Sequence, residues 1–459
     1  MTSPTVVIGA GPAGLAAAWR LGRAAKPVVL IERDPQVGGL SRPLELSGTR
    51  FDVGAHVFKP RTQAVADLWD ELCDGRYEPE SEERSAIYSG GSLHASKRDY
   101  FFSQSLRTRA RIALQLLGRL LRPRPVLSGE DWLRNVRGDA LYDALYRPRE
   151  EKLWGEPLSR IDPSWYTSQS RPFTARLRAG RQPGSPGIDE AIQVPVRYPV
   201  GGAGALYARL GDSLGGTTRT LLDCEARAVV QHGGRVVAVH YHNLQTGETD
   251  EVECGAVIST ASLPQLVRAL DPAPERAVLQ AASSLQHRDL VLVNLVIDEE
   301  GAFPYEFVHP YTFDVKAFRI TGFANMSPAM RGPEGRTPVT VEYNCFHGDQ
   351  TWEASDDALV ELALAELGTI GLVDAQRVRD AKVERFREAY PIHSLGYRAI
   401  ADRLIERLDE VGGLQTIGRN GMFTYNQMSH SVECGILAAE NVLGASHQLV
   451  VPGVFDLPF

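Results

Sequence analysis

The stretch TVVIGAGPAGLAAAWRLGRAAKPVVLIERDPQVGG, residues 5–39, decides the fold. Val6, Val7 and Ile8 form a short apolar run suited to a buried strand, Gly9-Ala-Gly11-Pro-Ala-Gly14 makes a turn, and residues 15–21 continue at helical spacing. Glycine at 9 permits a tight turn, glycine at 11 lets backbone approach a pyrophosphate with no Cβ between, and glycine at 14 lets the helix pack closely on the strand. The helix start, with Pro12 and Ala13 in its first turn, offers free N–H groups and the positive end of the helix dipole to phosphate. A second apolar run, 27–31, leads to Glu32, placed where a carboxylate accepts hydrogen bonds from ribose hydroxyls. Strand, loop, helix, strand and acid in this order predict a dinucleotide-binding unit.

The rest of the composition narrows the class. A chain of 459 residues holds two or three domain-sized units, and 43% hydrophobic with 23% charged residues is the balance of a folded protein rather than a disordered one. A formal charge of −8 argues against nucleic acid as the partner. Cys73, Cys224, Cys254, Cys345 and Cys434 are scattered, with no CxxC and no histidines at ligand spacing, so neither a metal centre nor a disulfide framework is expected and a reducing, cytoplasmic setting fits. No apolar run is long enough to span a bilayer, and residues 6–18 lack the basic flank and cleavage site of a signal peptide.

The continuation Glu32-Arg33-Asp-Pro-Gln-Val-Gly38-Gly39-Leu40-Ser41-Arg42 resembles the E-x5-GG segment of the FAD-dependent amine oxidase and protoporphyrinogen oxidase superfamily. That resemblance implies FAD as cofactor, with Arg33, Gly38, Gly39, Leu40 and Ser41 among its contacts. It also implies an α/β fold: a Rossmann-like FAD-binding domain (GR2-type) with an inserted α+β substrate domain containing a mostly antiparallel sheet.

Further along, Phe51-Asp-Val-Gly54-Ala55-His56-Val-Phe58 resembles a loop that UDP-galactopyranose mutases, of the same clan, pass close to the flavin ring. Gly54 and Ala55 then lie at the cofactor, and His56 is either a hydrogen-bonding and proton-handling group or a packing residue. Residues 97–124 combine Arg107, Arg109, Arg111, Arg119 and Arg122 with Ile112, Leu114, Leu116, Leu117 and Leu120 at helical spacing. They predict a surface helix with its apolar face on the domain and its arginines in water, or else one that touches a membrane or an anionic partner. Helical spacing also covers 131–146, and 178–186 reads as a mobile loop.

Residues 146–155, YRPREEKLWG, resemble the K-x-WG segment of the same families, which implies Lys152 and Trp154 at the nucleotide end of a substrate site; a core tryptophan beside a solvent lysine is the plain alternative. Tyr198-Pro-Val-Gly201-Gly202 resembles the point of return to the FAD domain. Residues 226–231 and 236–241, parted by Gly233-Gly234, read as a hairpin, and the resemblance places Ala226 by the adenine and Thr260 at the turn closing this half. Residues 290–297, 317–323 and 339–343 are strand-like. Within them Arg319 and Tyr343 match a mutase segment, and an arginine on a buried strand favours contact with an anion or the flavin.

Near the end, Gly418-Arg419-Asn420-Gly421-Met-Phe423-Thr424-Tyr425-Asn426 and Ser431 resemble the mutases' terminal flavin segment, which implies Gly418, Arg419 and Ser431 at the cofactor and Arg419, Tyr425 and Asn426 at a substrate diphosphate. Phe423-Thr424-Tyr425-Asn426 departs from the mutases' Trp-Arg-Tyr-Glu, and Ser429 stands where they carry an acid.

Five segments follow from this reading: 1–84, 198–284 and 385–459 for FAD, with 85–197 and 285–384 for a small-molecule substrate. The expected activity is oxidation of a sugar, sugar nucleotide or similar polar biosynthetic intermediate by hydride transfer to flavin N5. His56, Arg319, Arg419 and Tyr425 form the catalytic set. A mutase-like ring contraction using reduced FAD as nucleophile is the alternative, and a partner-binding flavoprotein without catalysis the third reading.

Overall fold

The computed structural model describes residues 3–56, 58–79, 84–169, 197–332 and 335–449. The loop expected at 178–186 lies outside the described residues. At the centre, five parallel strands run in the order Leu414–Thr416, Ala256–Ser259, Thr5–Ile8, Val28–Ile31, Thr218–Leu221. Their side chains alternate between two covered faces, which is why the inner strands Thr5–Ile8, Val28–Ile31 and Ala256–Ser259 are nearly continuous apolar runs. Val7, Leu30 and Ile258 pack under helix Pro12–Arg23, helix Gly202–Asp212 and the terminal helix Met428–Val442. Val6, Ile8, Val29 and Ile31 pack against the expected hairpin, Cys224–His232 with Arg235–Asn243, and helices Leu263–Arg268 and Tyr397–Asp409.

A second sheet of seven strands is antiparallel except for one pair, Phe307–Pro310 beside Ser85–Ser89. Strand His287–Ile297 is second from one edge, between the edge strand Val378–Pro391 and Thr337–Cys345, which is followed by Arg319–Gly322. The long strand runs on to Pro391, past the boundary expected at 384. One face of this sheet buries Val291, Val293, Val339 and Val341 under helix Asp356–Ile370. The other buries Leu290, Leu292 and Val296 against Phe51 and Val53, so the loop after residue 50 lies between the two sheets.

Asp52 anchors that loop. Its carboxylate accepts the N–H groups of Ala203 and Gly204, both at 2.9 Å, and the Tyr198 hydroxyl, all at the start of helix Gly202–Asp212. The helix dipole and three donors hold this buried carboxylate in place.

Two helical expectations change in the structure. The run 131–146 breaks at Gly138, where φ is +76°, into helix Gly129–Arg137 and a continuation through a π-turn at Tyr142–Tyr146 to helix Arg147–Trp154. The run 97–124 forms two helices, Lys97–Ser103 and Leu106–Leu121, because Ser96 and Ser105 each cap a helix start by accepting an N–H three residues on. The second helix turns Leu106, Leu114, Leu117 and Leu121 outward, where the expected surface helix would set its apolar face on the domain. Its inner face is held by polar contacts, Arg119 to Asp139 at 2.6 Å and the Ala140 N–H to Gln115 at 2.8 Å, with Ile112 buried among them.

Candidate active site

The three loop glycines do different work. A Cβ on Gly9 would lie 2.1 Å from Thr260 Oγ1, and one on Gly14 would lie 1.9 Å from the Gly9 carbonyl oxygen, so both positions are closed by the protein itself. A Cβ on Gly11 would meet nothing within 4 Å. Gly11 therefore faces open space at the start of helix Pro12–Arg23, whose N-cap has no side-chain acceptor. This is the cradle that a pyrophosphate fills. Gly39 packs against Gly11, its Cβ position 3.1 Å from the Gly11 Cα, and Gly38 donates to the Ala10 carbonyl at 2.8 Å.

Glu32 is buried at the end of the second strand and accepts the N–H groups of Ala10 at 2.6 Å and Asp34 at 2.9 Å. Burial raises its pKa and the two backbone donors oppose the rise. Beside it the Cys224 N–H meets the Glu32 carbonyl at 2.8 Å, and the hairpin register shifts between Ala226 and Ala228. Thr260, just past strand Ala256–Ser259, ties it to strand Thr5–Ile8 by two bonds to the Ile8 carbonyl oxygen. The terminal helix crosses Pro12–Arg23 where a Cβ on Gly435 would lie 2.2 Å from the Ala13 carbonyl oxygen. Gly418 (φ +80°) brings its segment to Ala13, and Ser431 at the helix start bonds Asn426 at 3.2 Å.

Between the sheets the geometry is that of a cationic, aromatic wall. Arg319 and Glu342 are cross-strand partners and pair through two bonds of 2.7 Å, with the Thr321 hydroxyl adding a third to the carboxylate at 3.0 Å. Gly54 (φ +73°) lies on this pair, where a Cβ would stand 3.2 Å from Arg319 Nη2. Arg149 pairs with Glu150 at 2.5 Å, and Glu150 accepts the Tyr166 hydroxyl, which accepts the Trp154 N–H, both at 2.8 Å.

Arg419 is different. It donates to the carbonyls of Ala389 at 3.3 Å and Asn426 at 2.8 Å, lies over the rings of Tyr390 and Tyr425, and has no carboxylate partner among the described residues. Tyr425 stacks on Trp165 with ring centres 4.3 Å apart.

Two histidines report the field in this space. Burial first, then Arg419 and Arg319, push His56 down to about 3. Burial, then Arg149, Arg319 and Lys97, push His309 well below its usual value. Lys97 itself is lowered to about 8 by burial and by Arg149 and Arg137. Lys97, Arg149, Arg319 and Arg419, with Arg137 beside Lys97 over Tyr146, thus lie within electrostatic reach of these two histidines, and Glu150 and Glu342 are the carboxylates paired among them.

The structure brings His56, Arg319, Arg419 and Tyr425 together, and corrects several expected roles. Burial and the two arginines disfavour the imidazolium form of His56, and its Nε2 has no hydrogen-bond partner among the described residues. The Arg319 charge is answered by Glu342 rather than left for an anion. Tyr343, next to Glu342 on the strand, points to the opposite face and bonds Glu366 at 3.0 Å, because side chains alternate. Lys152 donates to the carbonyls of Pro310 and Ala317, each at 3.0 Å, and serves as a tie between strands rather than a phosphate contact. Trp154 is enclosed by Trp165, His393 and Tyr425, 1% exposed, and offers no face for a base. Asn426 is buried, with its Oδ1 taken by Ser431, so it positions Arg419 through its carbonyl.

Reading the sequence missed Asp52, Arg149, Glu150, His309 and Glu342. Four of these sit inside motifs quoted for other residues; His309 carries no local signal.

The chain thus joins a glycine loop open at a helix start and a buried acid ending the next strand to a second, largely antiparallel sheet. The chain belongs to the flavin containing amine oxidoreductase family, whose sequence profile matches residues 12–443. It is an FAD-dependent oxidoreductase, and the open space at Gly11 and the buried acid at Glu32 fit that cofactor.

Its fold is similar to that of reduced UDP-galactopyranose mutase, with 20% identity, TM-score 0.81 and coverage of 98% of this chain and 97% of that one. It is also similar to putrescine oxidase bound to putrescine, with 18% identity, TM-score 0.63 and coverage of 97% and 100%. A 4,4'-diapophytoene desaturase (4,4'-diapolycopene-forming) from Methylomonas sp matches at 32% identity over 77 residues, 17% of this chain and 15% of that protein. Among the described residues, no helix is long and apolar enough to cross a membrane.

Proposed function

We propose that this is a GR2-type flavoenzyme that oxidises a polar biosynthetic intermediate carrying an anionic group, a sugar or sugar nucleotide, with that group held by Arg419 and Tyr425. FAD binds along Gly11, Glu32, Gly38, Gly39 and the start of helix Pro12–Arg23, between segments 1–84, 198–284 and 392–459, with the long strand assigned to the substrate lobe. Bound FAD supplies two-electron chemistry, accepting hydride from a substrate carbon.

The observation that carries the reading is the excess of positive charge: four basic groups lie about His56 and His309 with two carboxylates, and one of the four, Arg419, holds two backbone carbonyls and the Tyr390 and Tyr425 rings with no carboxylate partner among the described residues. A protonated amine gains nothing in such a field, whereas phosphate or carboxylate does. Tyr425 and Tyr390 fix the plane of the Arg419 guanidinium, and the Arg319–Glu342 pair holds Gly54 and the loop before His56. His56, neutral, hydrogen-bonds a polar group in the site.

The test is anaerobic addition of sugar phosphates, nucleoside diphosphate sugars and polyamines to the oxidised holoenzyme. Bleaching of the yellow flavin by a phosphorylated sugar is the expected result. Bleaching by polyamines alone overturns it, and so does pyranose–furanose interconversion seen only after reduction with dithionite, which establishes the mutase-like reaction instead.

A further inference from the structure

The helix Leu106–Leu121 presents its apolar side to solvent. Leu106, Ala110, Ala113, Leu114, Leu117 and Leu121 fall on one stripe and all are exposed, the leucines by 76%, 70%, 53% and 74% in chain order. Among the described residues no element covers this stripe. Phe102, at the end of the preceding helix, is 53% exposed, and Leu127, six residues past the helix, is 73% exposed.

Arginines edge the stripe. Arg107 and Arg111 project on one side and Arg109 on the other, by helical geometry. Together with Arg122 they have no carboxylate partner among the described residues, whereas Arg119 and Arg124 are paired with Asp139. Residues 97–127 hold eight basic side chains and one acid, Asp99, in a chain whose net charge is −8.

We propose that this helix docks the enzyme peripherally on an anionic lipid bilayer, lying in the plane of the interface. A convex apolar ridge with basic edges matches a headgroup and acyl boundary: the leucines enter it and the arginines stay at the phosphates. A second copy of the helix would set arginines against arginines, because no acid lies on the helix itself. The contact also sets the substrate lobe near the surface. Helix Lys97–Ser103 carries Phe102 beside the stripe and, one and a half turns earlier, Lys97 over the Tyr311 and Tyr146 rings of the cationic site. This inference stands apart from the identity of the substrate.

The experiment is co-sedimentation of the FAD-loaded full chain with vesicles of phosphatidylcholine alone or with phosphatidylglycerol added, at low and high salt, for wild type, Leu114→Glu/Leu117→Glu and Arg107→Glu/Arg111→Glu. All four positions are exposed or at the helix rim, and flavin absorbance checks folding of each variant. Binding to the anionic vesicles is expected, weakening with salt and by roughly fivefold or more per arginine reversed. The leucine variant is expected to lose binding by at least about tenfold. No association with either vesicle overturns the proposal, as does association that both variants retain. Concentration-dependent self-association in sedimentation velocity, abolished by the leucine variant and unaccompanied by vesicle binding, assigns the stripe to a second copy of the chain instead.

Discussion

Arg319 and Arg419 have the same side chain in the same space and opposite energetics. Removing Arg319 strands the fully buried Glu342, so Arg319→Ala is expected to cost about 3–5 kcal/mol of stability, read by chemical denaturation. Arg419 leaves only two carbonyl oxygens behind. Arg419→Ala is expected to keep its flavin and its fold and to lower kcat/KM by about 10- to 100-fold, mainly through KM, once a substrate is in hand. A melting loss in Arg419→Ala as large as that in Arg319→Ala would contradict the assignment. The sequence placed both arginines at the site but could not separate them, because the partner of Arg319 sits 23 residues away on the next strand.

At the scale of elements, the loop after Phe51 holds the two sheets in register through Asp52. Asp52→Ala removes the acceptor of two helix-start N–H groups and of the Tyr198 hydroxyl. It is expected to destabilise the holoenzyme by about 3–5 kcal/mol and to release FAD on dilution, measured by denaturation and by flavin fluorescence of the filtrate. Elements whose signal is local were legible. The first strand and helix and the hairpin across Gly233-Gly234 lie within a few residues of where periodicity placed them. Helix Leu106–Leu121 was legible as amphipathic but not in its orientation. Periodicity shows that an apolar face exists, and only the neighbours Asp139 and Ala140 decide which way it turns.

At the scale of the whole molecule, burial of neutral histidines ties stability to pH. His56, His287 and His393 take up protons in the fold only near about 3, 4 and 3, against an ordinary 6.5 for the unfolded chain. The unfolded state therefore binds more protons as pH falls below 6.5, and stability drops until the folded values are reached. The buried acids Glu32, Asp52, Asp289 and Glu366, raised by burial, act in the other direction nearer their own range, so a variant isolates one histidine. His393→Phe preserves the stack on Tyr397 and is expected to flatten the decline between about pH 6 and 4 by about 1.4 kcal/mol per pH unit. Equal slopes for the two proteins in urea titrations would refute it.

The sequence by itself determined the strand–glycine loop–helix–strand unit at the N-terminal end and the family, since each is written in contiguous residues whose spacing the backbone dictates. It could not determine which cations are balanced, which face of the second sheet Tyr343 takes, that Trp154 is sealed inside, or that Lys152 is tied to two carbonyls. Those depend on charges and side chains that meet only when strands distant in the chain pair, and a charge counts for binding only after its nearest neighbours have been subtracted.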